Sequence, residues 1–205
     1  QSFLLMEYIE KGTESKQYWK DLGKGLARMH QADVQKVLDH PFGFIEDNYI
    51  GTNIQINTPM DSWIQFFIHC RLSPQIDIAK SFCSHKTIQK IEDALPVIEK
   101  MLVEPTKPSI LHGDLWAGNV YCGNQGKPFI LDPAVYIGHR EAELAYTQLF
   151  GGFPDEFYQA YRNQYPLQAG YEERIDIYNL YHLLNHFNLF GSTYLNSVMA
   201  IVERL

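Results

Sequence analysis

Four polar residues lie within short apolar runs near the centre of the 205-residue chain. His112 and Asp114 lie in "ILHGDLWAGNV", Asn119 follows five residues after Asp114, and Asp132 closes the run "PFILD". Two carboxylates and an amide supply hard oxygen ligands, which suit Mg²⁺ when substrate phosphates complete its coordination. The order His-x-Asp, Asn at plus five and a later strand-ending Asp is typical of phosphoryl-transfer sites.

Each of the four residues has a candidate role. Asp114 is the candidate catalytic base, which would orient a substrate hydroxyl and accept its proton. Asn119 and Asp132 are candidate metal ligands, which would hold Mg²⁺ against the phosphates of ATP. His112 is expected to support the loop through a hydrogen bond without reacting. Taken singly, Asp114 or Asn119 could be a turn residue or a cap, but the ordered set favours the catalytic interpretation.

These residues need a scaffold, and the periodicity of the sequence predicts mostly helix around a small β insert. The runs "SILHGD", "NVYCG" and "PFILDP" predict short strands, the last two forming a hairpin around residues 123–127. The other predicted elements are a strand over 3–9, a helix over 18–31, a long loop over 39–59, an amphipathic segment over 62–72, a helix over 86–102 that Pro96 could kink, and helices over 141–150, 155–163, 174–190 and 192–205.

Other unusual polar residues are interpreted as structural. His30, His182 and His186 lie in helical patterns among apolar neighbours, and the aromatic run "YNLYHLLNHFNLF" is assigned to the core. Glu141 and Glu143 lie at a predicted helix start, where carboxylates favour the positive end of the helix dipole. The helix dipole suffices to explain both glutamates without a role in chemistry.

The composition excludes several classes of protein. The chain is 45% hydrophobic and 14% aromatic, which suits a globular protein with a sizeable core. A net charge of −7 and the lack of a basic block argue against nucleic-acid binding. No apolar run reaches the roughly 18 residues of a membrane span. Three scattered cysteines fit neither a disulfide framework nor a zinc site, so a reducing, cytoplasmic location is expected.

The first residues have the pattern of an internal segment. The chain has no initial Met and opens within the apolar run of residues 3–6. Because a native N-terminus is usually polar and loosely ordered, we expect the chain to begin partway through a larger protein. Residues 1–16 are then a connection from a preceding unit, and residues 17–205 form the unit that carries the candidate site.

The motifs, taken together, resemble the fructosamine kinase family, within the larger group of aminoglycoside-phosphotransferase-like kinases. "HGD" with Asn at plus five and a later Asp is similar to the larger group. The Trp in "HGDLW" and the segment "FGGFP" are similar to fructosamine kinases in particular. "FGFIEDNYIGTN", "WIQFFIHCRLSPQ" and "YHLLNHFNLFG" extend the resemblance through essentially the whole chain.

The resemblance implies an ATP-dependent kinase that phosphorylates a sugar hydroxyl of ketosamines, the adducts that sugars form with lysine amines. The phosphorylated adduct then detaches, which repairs the glycated protein. Asp114 is the implied base, and Trp116 is implied to lie beside the sugar, whose ring suits an aromatic face. The implied cofactors are ATP and Mg²⁺, and the substrate is a small-molecule or protein-bound ketosamine. The backbone implied to meet adenine belongs to "MEYI", which is Met6, Glu7, Tyr8 and Ile9.

The resemblance also implies an α+β fold, namely a protein-kinase-like, mostly helical C-terminal lobe over residues 17–205, with residues 1–16 as hinge and linker. A Gly-rich loop and a phosphate-binding Lys would normally precede the hinge. We therefore expect the N-terminal lobe to be absent and the chain alone to be inactive. Gly113 replaces the protein-kinase Arg, and Pro133-Ala134 replaces Phe-Gly, so no activation-loop phosphorylation or mobile Phe is implied.

Two alternatives remain open. One is another kinase of the larger group, acting on an aminoglycoside, choline or a sugar; Trp116 and "FGGFP" argue against it. The other is a truncated, non-catalytic binding or regulatory fragment, and the retained base and metal positions argue against a decayed enzyme. The oligomeric state is left open.

Overall fold

The computed structural model describes residues 5–34 and 39–205. The helices are α1 (Tyr18–His30), α2 (Trp63–Phe66), α3 (Ser73–Ala79), α4 (His85–Met101), α5 (Arg140–Leu149), α6 (Asp155–Gln164), α7 (Tyr171–Phe190) and α8 (Leu195–Val202). The strands are β1 (Asn48–Ile50), β2 (Asn53–Gln55), β3 (Ser109–Leu111), β4 (Val120–Cys122), β5 (Pro128–Ile130) and β6 (Tyr136–Gly138). A π-helical turn, Phe67–Leu72, joins α2 to α3, and 3₁₀ turns span Ala117–Asn119, Asn124–Gly126 and Ser192–Tyr194.

The strands of the described residues form three antiparallel pairs. β1 pairs with β2, and β4 pairs with β5 so that Val120 lies opposite Ile130. β3 pairs with β6 so that Leu111 lies opposite Tyr136. The β4–β5 hairpin is the one predicted from the sequence. β6 was not predicted, and it positions the loop that follows β3.

The larger hydrophobic core surrounds α7, which packs against α3, α5 and α8. Its Tyr178 hydroxyl accepts a hydrogen bond from the indole nitrogen of the buried Trp63 at 3.2 Å. Gly170 and Gly191 flank the helix with φ angles of +78° and +90°. Since these angles disfavour residues with a Cβ, the two glycines set where the helix begins and ends.

A second core lies between α1 and α6, where Leu22 and Leu26 pack with Phe157 and Tyr161. A Cβ at Gly23 would collide with the carbonyl oxygen of Phe157, so glycine is needed for the two helices to approach this closely. The stripe of apolar residues that predicted a helix over 18–31 is confirmed as the buried face of α1.

The predicted strand over 3–9 is wrong for its described part. Residues 5–9 form no strand, and Lys11 makes only a single bridge to Gly123. Phe3 and Leu4 lie outside the described residues. The side chains of Leu5, Met6 and Tyr8 are exposed, so this apolar run does not gain the burial that would stabilise a strand.

The predicted long loop over 39–59 is also wrong in part, because it contains the β1–β2 hairpin. The buried amide of Gln55 donates to the side-chain oxygen of Asn48 at 2.8 Å and to the carbonyl oxygen of Ala134 at 2.9 Å. Its own oxygen accepts from the Tyr181 hydroxyl at 2.8 Å. Polar side chains bonded to one another replace the apolar alternation expected of a strand.

The other predicted helices are confirmed with small changes at their ends. The amphipathic segment over 62–72 comprises α2 and the π-helical turn, and it continues into α3. α4 runs through Pro96 as one helix of 17 residues. None of the described helices is both long and apolar enough to cross a membrane.

Candidate active site

The candidate base lies in the loop that follows β3. Gly113, between His112 and Asp114, has a φ of +83°, and a Cβ there would collide with the carbonyl oxygen of Ala134. Both features require glycine, which explains why this position cannot hold the Arg of protein kinases. The backbone nitrogen of Ala134 donates to the carbonyl oxygen of His112 at 2.8 Å, so the loop is held against the segment after β5.

A buried carboxylate, Glu143 on α5, supports this loop from the core. It accepts hydrogen bonds from the backbone nitrogen of Gly113 at 2.7 Å and from His30 Nε2 at 2.8 Å. Burial alone would raise the pKa of Glu143, but the hydrogen bond and charge of His30 outweigh it, and the pKa is lowered. The helix-dipole explanation of Glu143 was therefore insufficient, because this carboxylate binds the loop that carries Asp114.

Glu141, the other glutamate assigned to the helix dipole, is also fully buried. Its two carboxylate oxygens accept from Arg174 at 2.8 and 2.9 Å. The ion pair ties α5 to α7, and a buried carboxylate needs such a partner. The helix-dipole explanation was therefore insufficient for Glu141 as well.

His112 joins the loop to the end of β5. Its Nε2 donates to the carbonyl oxygen of Leu131 at 2.8 Å, and its Nδ1 accepts from the backbone nitrogen of Asp114 at 3.3 Å. These partners require the neutral ring protonated at Nε2. The histidine therefore connects the residue before Asp132 to the candidate base.

Asn119 ends the 3₁₀ turn after Trp116 and is buried. Its amide nitrogen donates to the backbone oxygen of Asp114 at 2.8 Å and to the carboxylate Oδ2 of Asp114 at 3.2 Å. Its backbone oxygen accepts from the nitrogen of Leu131 at 3.1 Å. The same residue thus contacts both segments that carry the candidate carboxylates.

The half-buried Asp114 carboxyl has an altered proton affinity. Burial raises its pKa, hydrogen bonds from the Tyr146 hydroxyl and from Asn119 act in the opposite direction, and the charge of Asp132 adds to the rise. The net effect is a raised pKa, so Asp114 accepts a proton more readily than an exposed aspartate. Burial and the neighbouring Asp114 also raise the pKa of Tyr146, whose hydroxyl stays protonated and able to donate.

Asp132 is exposed and adopts a left-handed backbone conformation, with a φ of +55°. This conformation is unfavourable for a residue with a Cβ, and residues before proline such as Pro133 favour extended backbone. A strained residue of this kind costs about 1–3 kcal/mol and often marks a functional site.

The side chains of Asn119 and Asp132 fit part of the ligand set of a Mg²⁺ ion that also binds substrate phosphates. The described residues contain no group of three His, Cys, Asp or Glu side chains arranged to hold a metal ion. Mg²⁺ commonly takes only one or two carboxylates, with waters and substrate phosphates as its other ligands. Within the described part of the chain, the Asn119 side chain uses only its nitrogen in hydrogen bonds, which leaves its oxygen for a cation. Asn119 and Asp132 therefore fit as partial ligands.

Trp116 lies two residues after Asp114, with 39% of its surface exposed. Its ring meets the edge of Phe150 at a centroid distance of 6.4 Å. The two rings line a cavity of about 410 Å³, and the other lining residues are His186, Phe190 and Tyr194. His186, interpreted as structural, thus also faces open space near the candidate base.

The segment predicted to meet adenine lies beside the β4–β5 hairpin. Met6, Glu7 and Tyr8 are exposed, and Ile9 is partly buried. The carbonyl oxygen of Ile9 accepts from the Tyr121 hydroxyl at 3.2 Å. The segment therefore runs along the hairpin whose base carries Asn119.

The chain is similar over its whole length to one family of kinases. A family model described as fructosamine kinase matches residues 1–205. An Enterococcus faecium protein named "Probable ketoamine kinase" is 43% identical over 206 residues, which cover 98% of this chain and 71% of that protein. "Protein-ribulosamine 3-kinase, chloroplastic" of Arabidopsis thaliana is 42% identical over 207 residues, which cover 98% of this chain and 61% of that protein.

A solved structure shows the same fold. The crystal structure of a protein assigned as a fructosamine-3-kinase from Thermobifida fusca aligns with a TM-score of 0.87 at 32% identity. The alignment covers 97% of this chain and 68% of that one. The helices and small sheets are therefore those of a kinase-like fold. The chain belongs to the fructosamine kinase family.

Proposed function

We propose that the protein transfers a phosphoryl group from ATP to a hydroxyl of the sugar-derived part of a ketosamine. Relatives at 43% and 42% identity carry the names ketoamine kinase and ribulosamine kinase, and these names support the substrate class. Detachment of the phosphorylated adduct would free the lysine, so the expected consequence of the activity is protein deglycation.

One connected set of hydrogen bonds carries this proposal. Asn119 donates to Asp114 and accepts from the backbone of Leu131, and His112 donates to the carbonyl oxygen of Leu131. The candidate base, the amide ligand and the residue before Asp132 are thereby joined into one unit. Such preorganisation is what phosphoryl transfer requires of a protein, since catalysis there depends on positioning and charge stabilisation.

Asp114 acts as the base in this proposal. Its carboxylate accepts a hydrogen bond from the substrate hydroxyl and aims the oxygen at the γ-phosphorus of ATP. It takes the proton as the new O–P bond forms and the bond between the γ-phosphorus and the leaving ADP breaks. Because burial raises the pKa of Asp114, the carboxylate is better suited to hold that proton than an exposed one.

Asn119 and Asp132 hold Mg²⁺ in this proposal, through the amide oxygen and a carboxylate oxygen. When bound, Mg²⁺ offsets the negative charge of the ATP phosphates as it shifts during transfer. Two observations support this pairing: the backbone nitrogen of Leu131, next to Asp132, donates to the backbone oxygen of Asn119, and the charge of Asp132 raises the pKa of Asp114, which Asn119 contacts.

The remaining roles concern binding. Trp116 offers an exposed aromatic face to the substrate, two residues from the base. The backbone of residues 6–9 meets adenine, and its position along the β4–β5 hairpin supports this role. We also propose a cytoplasmic location, because all three cysteines lie among the described residues and are free.

The test is ATP-dependent phosphorylation of ribulosyl-lysine and fructosyl-lysine, followed by mass spectrometry. Asp114→Asn should lower kcat by about 100-fold or more, with a change in unfolding free energy within about 1 kcal/mol. Asp155→Asn, at an exposed position, is the matched control. Near-normal turnover by Asp114→Asn would refute the role of the base. Phosphorylation of choline or an aminoglycoside but of no ketosamine would refute the substrate class.

A further inference from the structure

Exposed aromatic rings gather beside the candidate base. Phe190, at the end of α7, is 65% exposed, and Trp116 and Phe150 also expose much of their rings. Exposed apolar surface of this kind commonly marks a binding site. We call this surface the aromatic groove, and its lining residues are Trp116, Phe150, His186, Phe190 and Tyr194.

The rings of the aromatic groove form a continuous wall. The ring of His186 lies 4.9 Å from Phe150, 5.5 Å from Phe190 and 5.1 Å from Tyr194, measured between centroids. Phe190 and Tyr194 are 6.2 Å apart. Each ring contacts at least one other, so the groove presents one extended surface of aromatic faces and edges.

The aromatic groove is continuous with the candidate active site. Trp116 belongs to the loop that carries Asp114, and Phe150 packs at 6.0 Å against Tyr146, whose hydroxyl is close enough to Asp114 to lower the pKa of that carboxyl. A molecule whose hydroxyl contacts Asp114 therefore has the groove directly beside it.

The groove carries no formal charge among its described lining residues. His186 uses Nδ1 to donate to the carbonyl oxygen of His182 at 2.8 Å, and burial lowers the pKa of His186. The His186 ring is therefore neutral near pH 7, and at that pH it does not repel a positively charged ligand. Aromatic faces attract ammonium groups, and a groove without its own cation favours them further.

A ketosamine has two parts of opposite character. The sugar-derived part carries many hydroxyls, and the groove offers them few partners, because the polar side-chain groups of its described lining are limited to the Trp116 indole nitrogen, the His186 ring and the Tyr194 hydroxyl. The other part is a secondary ammonium followed by the methylenes of lysine, which suits aromatic faces.

From the contacts and charge of the groove, we propose that the aromatic groove binds the lysine arm of the ketosamine, with its secondary ammonium against the aromatic faces. The proposal rests on the proposed function and adds to it the side chains that receive the arm. An adduct at an α-amine places a carboxylate beside the ammonium, and the described residues that line the groove include no cation to receive it. Because Phe190 at the end of the groove is exposed, the arm can continue to the surface of a glycated protein.

The test compares kcat/KM for three substrates: Nα-acetyl-Nε-fructosyl-lysine, fructosamine without an arm, and fructosyl-glycine. We expect the lysine adduct to exceed fructosamine by about tenfold, since it buries several methylenes, and fructosyl-glycine to be the poorest. Phe190→Ala should lower the ratio of kcat/KM between the lysine adduct and fructosamine by about three- to tenfold.

Phe82→Ala is the matched control, because Phe82 is also 65% exposed and packs on Phe187 outside the groove. Its substrate ratio should equal that of the wild type. Equal ratios in wild type and Phe190→Ala, or equal kcat/KM for the lysine and glycine adducts, would overturn the groove assignment and leave ketosamine phosphorylation standing. Failure to phosphorylate all three substrates would overturn both proposals.

Discussion

Replacement of Glu143 tests whether one buried carboxylate holds the candidate catalytic loop in place. Glu143 accepts from the backbone of Gly113 at 2.7 Å and from His30 at 2.8 Å, in a fully buried site. Removal of the carboxylate leaves the buried Gly113 nitrogen and His30 Nε2 without their acceptor, and each unsatisfied buried polar group costs about 1–3 kcal/mol. We therefore expect Glu143→Ala to lower the free energy of unfolding by about 3–5 kcal/mol.

Glu143→Gln should cost less, about 1–2 kcal/mol, because its amide oxygen can still accept from Gly113. The amide nitrogen can donate to Nε2 of His30 if the histidine moves its proton to Nδ1 and donates to the Tyr161 hydroxyl, which lies 2.7 Å away. The two variants thus separate the loss of charge from the loss of hydrogen bonds.

The pH dependence has a definite sign. The pKa of Glu143 is lowered below its ordinary value of 4.5 in the folded protein. Its ionised form therefore stabilises the fold fully above a pH of about 4.5, and this contribution is lost as the pH falls through the folded-state pKa. The stability difference between wild type and Glu143→Gln should shrink below that pH.

Urea denaturation at neutral pH and near pH 4 measures both effects, with the exposed Glu46→Gln as control. A change below about 0.5 kcal/mol for Glu143→Ala at neutral pH would match an ordinary surface substitution and would refute the reasoning. A wild-type advantage that grows as the pH falls would contradict the assigned charge state.

Substitutions at two further positions, Gly113 and Asp132, test the backbone of the site. Gly113→Ala should lower the free energy of unfolding by more than about 1 kcal/mol, because the φ of Gly113 is +83° and a Cβ there would collide with Ala134. Gly25→Ala is the control, because Gly25 lies in open space on α1. It should raise the free energy of unfolding by about 0.5–1 kcal/mol in the same denaturation assay. Asp132→Gly should unfold with a free energy about 1 kcal/mol higher than Asp132→Ala, because only glycine tolerates the left-handed backbone freely. Both Asp132 variants should lose turnover, and equal stability of the two would argue against backbone strain.

The sequence predicted best where a local pattern determines the structure. α1 and α4 follow from apolar residues spaced three and four apart, and their buried faces match that spacing. The loop with Asp114 and the β4–β5 hairpin follow from short apolar runs separated by turn residues. The hydrogen bonds among Asp114, Asn119 and Leu131 then place the motif residues together.

The sequence failed where distant residues determine the structure. Nothing near Glu143 indicates a contact with Gly113, which lies thirty positions earlier, so the carboxylate was assigned to a helix start. β6 forms because it pairs with the edge of β3 through backbone hydrogen bonds, and its own sequence has no alternation of apolar and polar residues that would predict a strand. The apolar residues 5–9 show the opposite error, since hydrophobicity alone does not make a strand.

The hydrogen bonds of the Gln55 amide limit the substitutions that the protein can tolerate at this position. Both of its hydrogens and its oxygen are engaged, with partners in the β1–β2 hairpin, in the segment after Asp132 and on α7. Glutamate would offer no hydrogen to Ala134, and methionine would satisfy none of the three groups. Neither of these replacements keeps the three hydrogen bonds by which the glutamine amide connects three parts of the chain. A change at Gln55 should therefore alter the placement of the Asp132 segment, 77 positions away in the sequence, without touching the site itself.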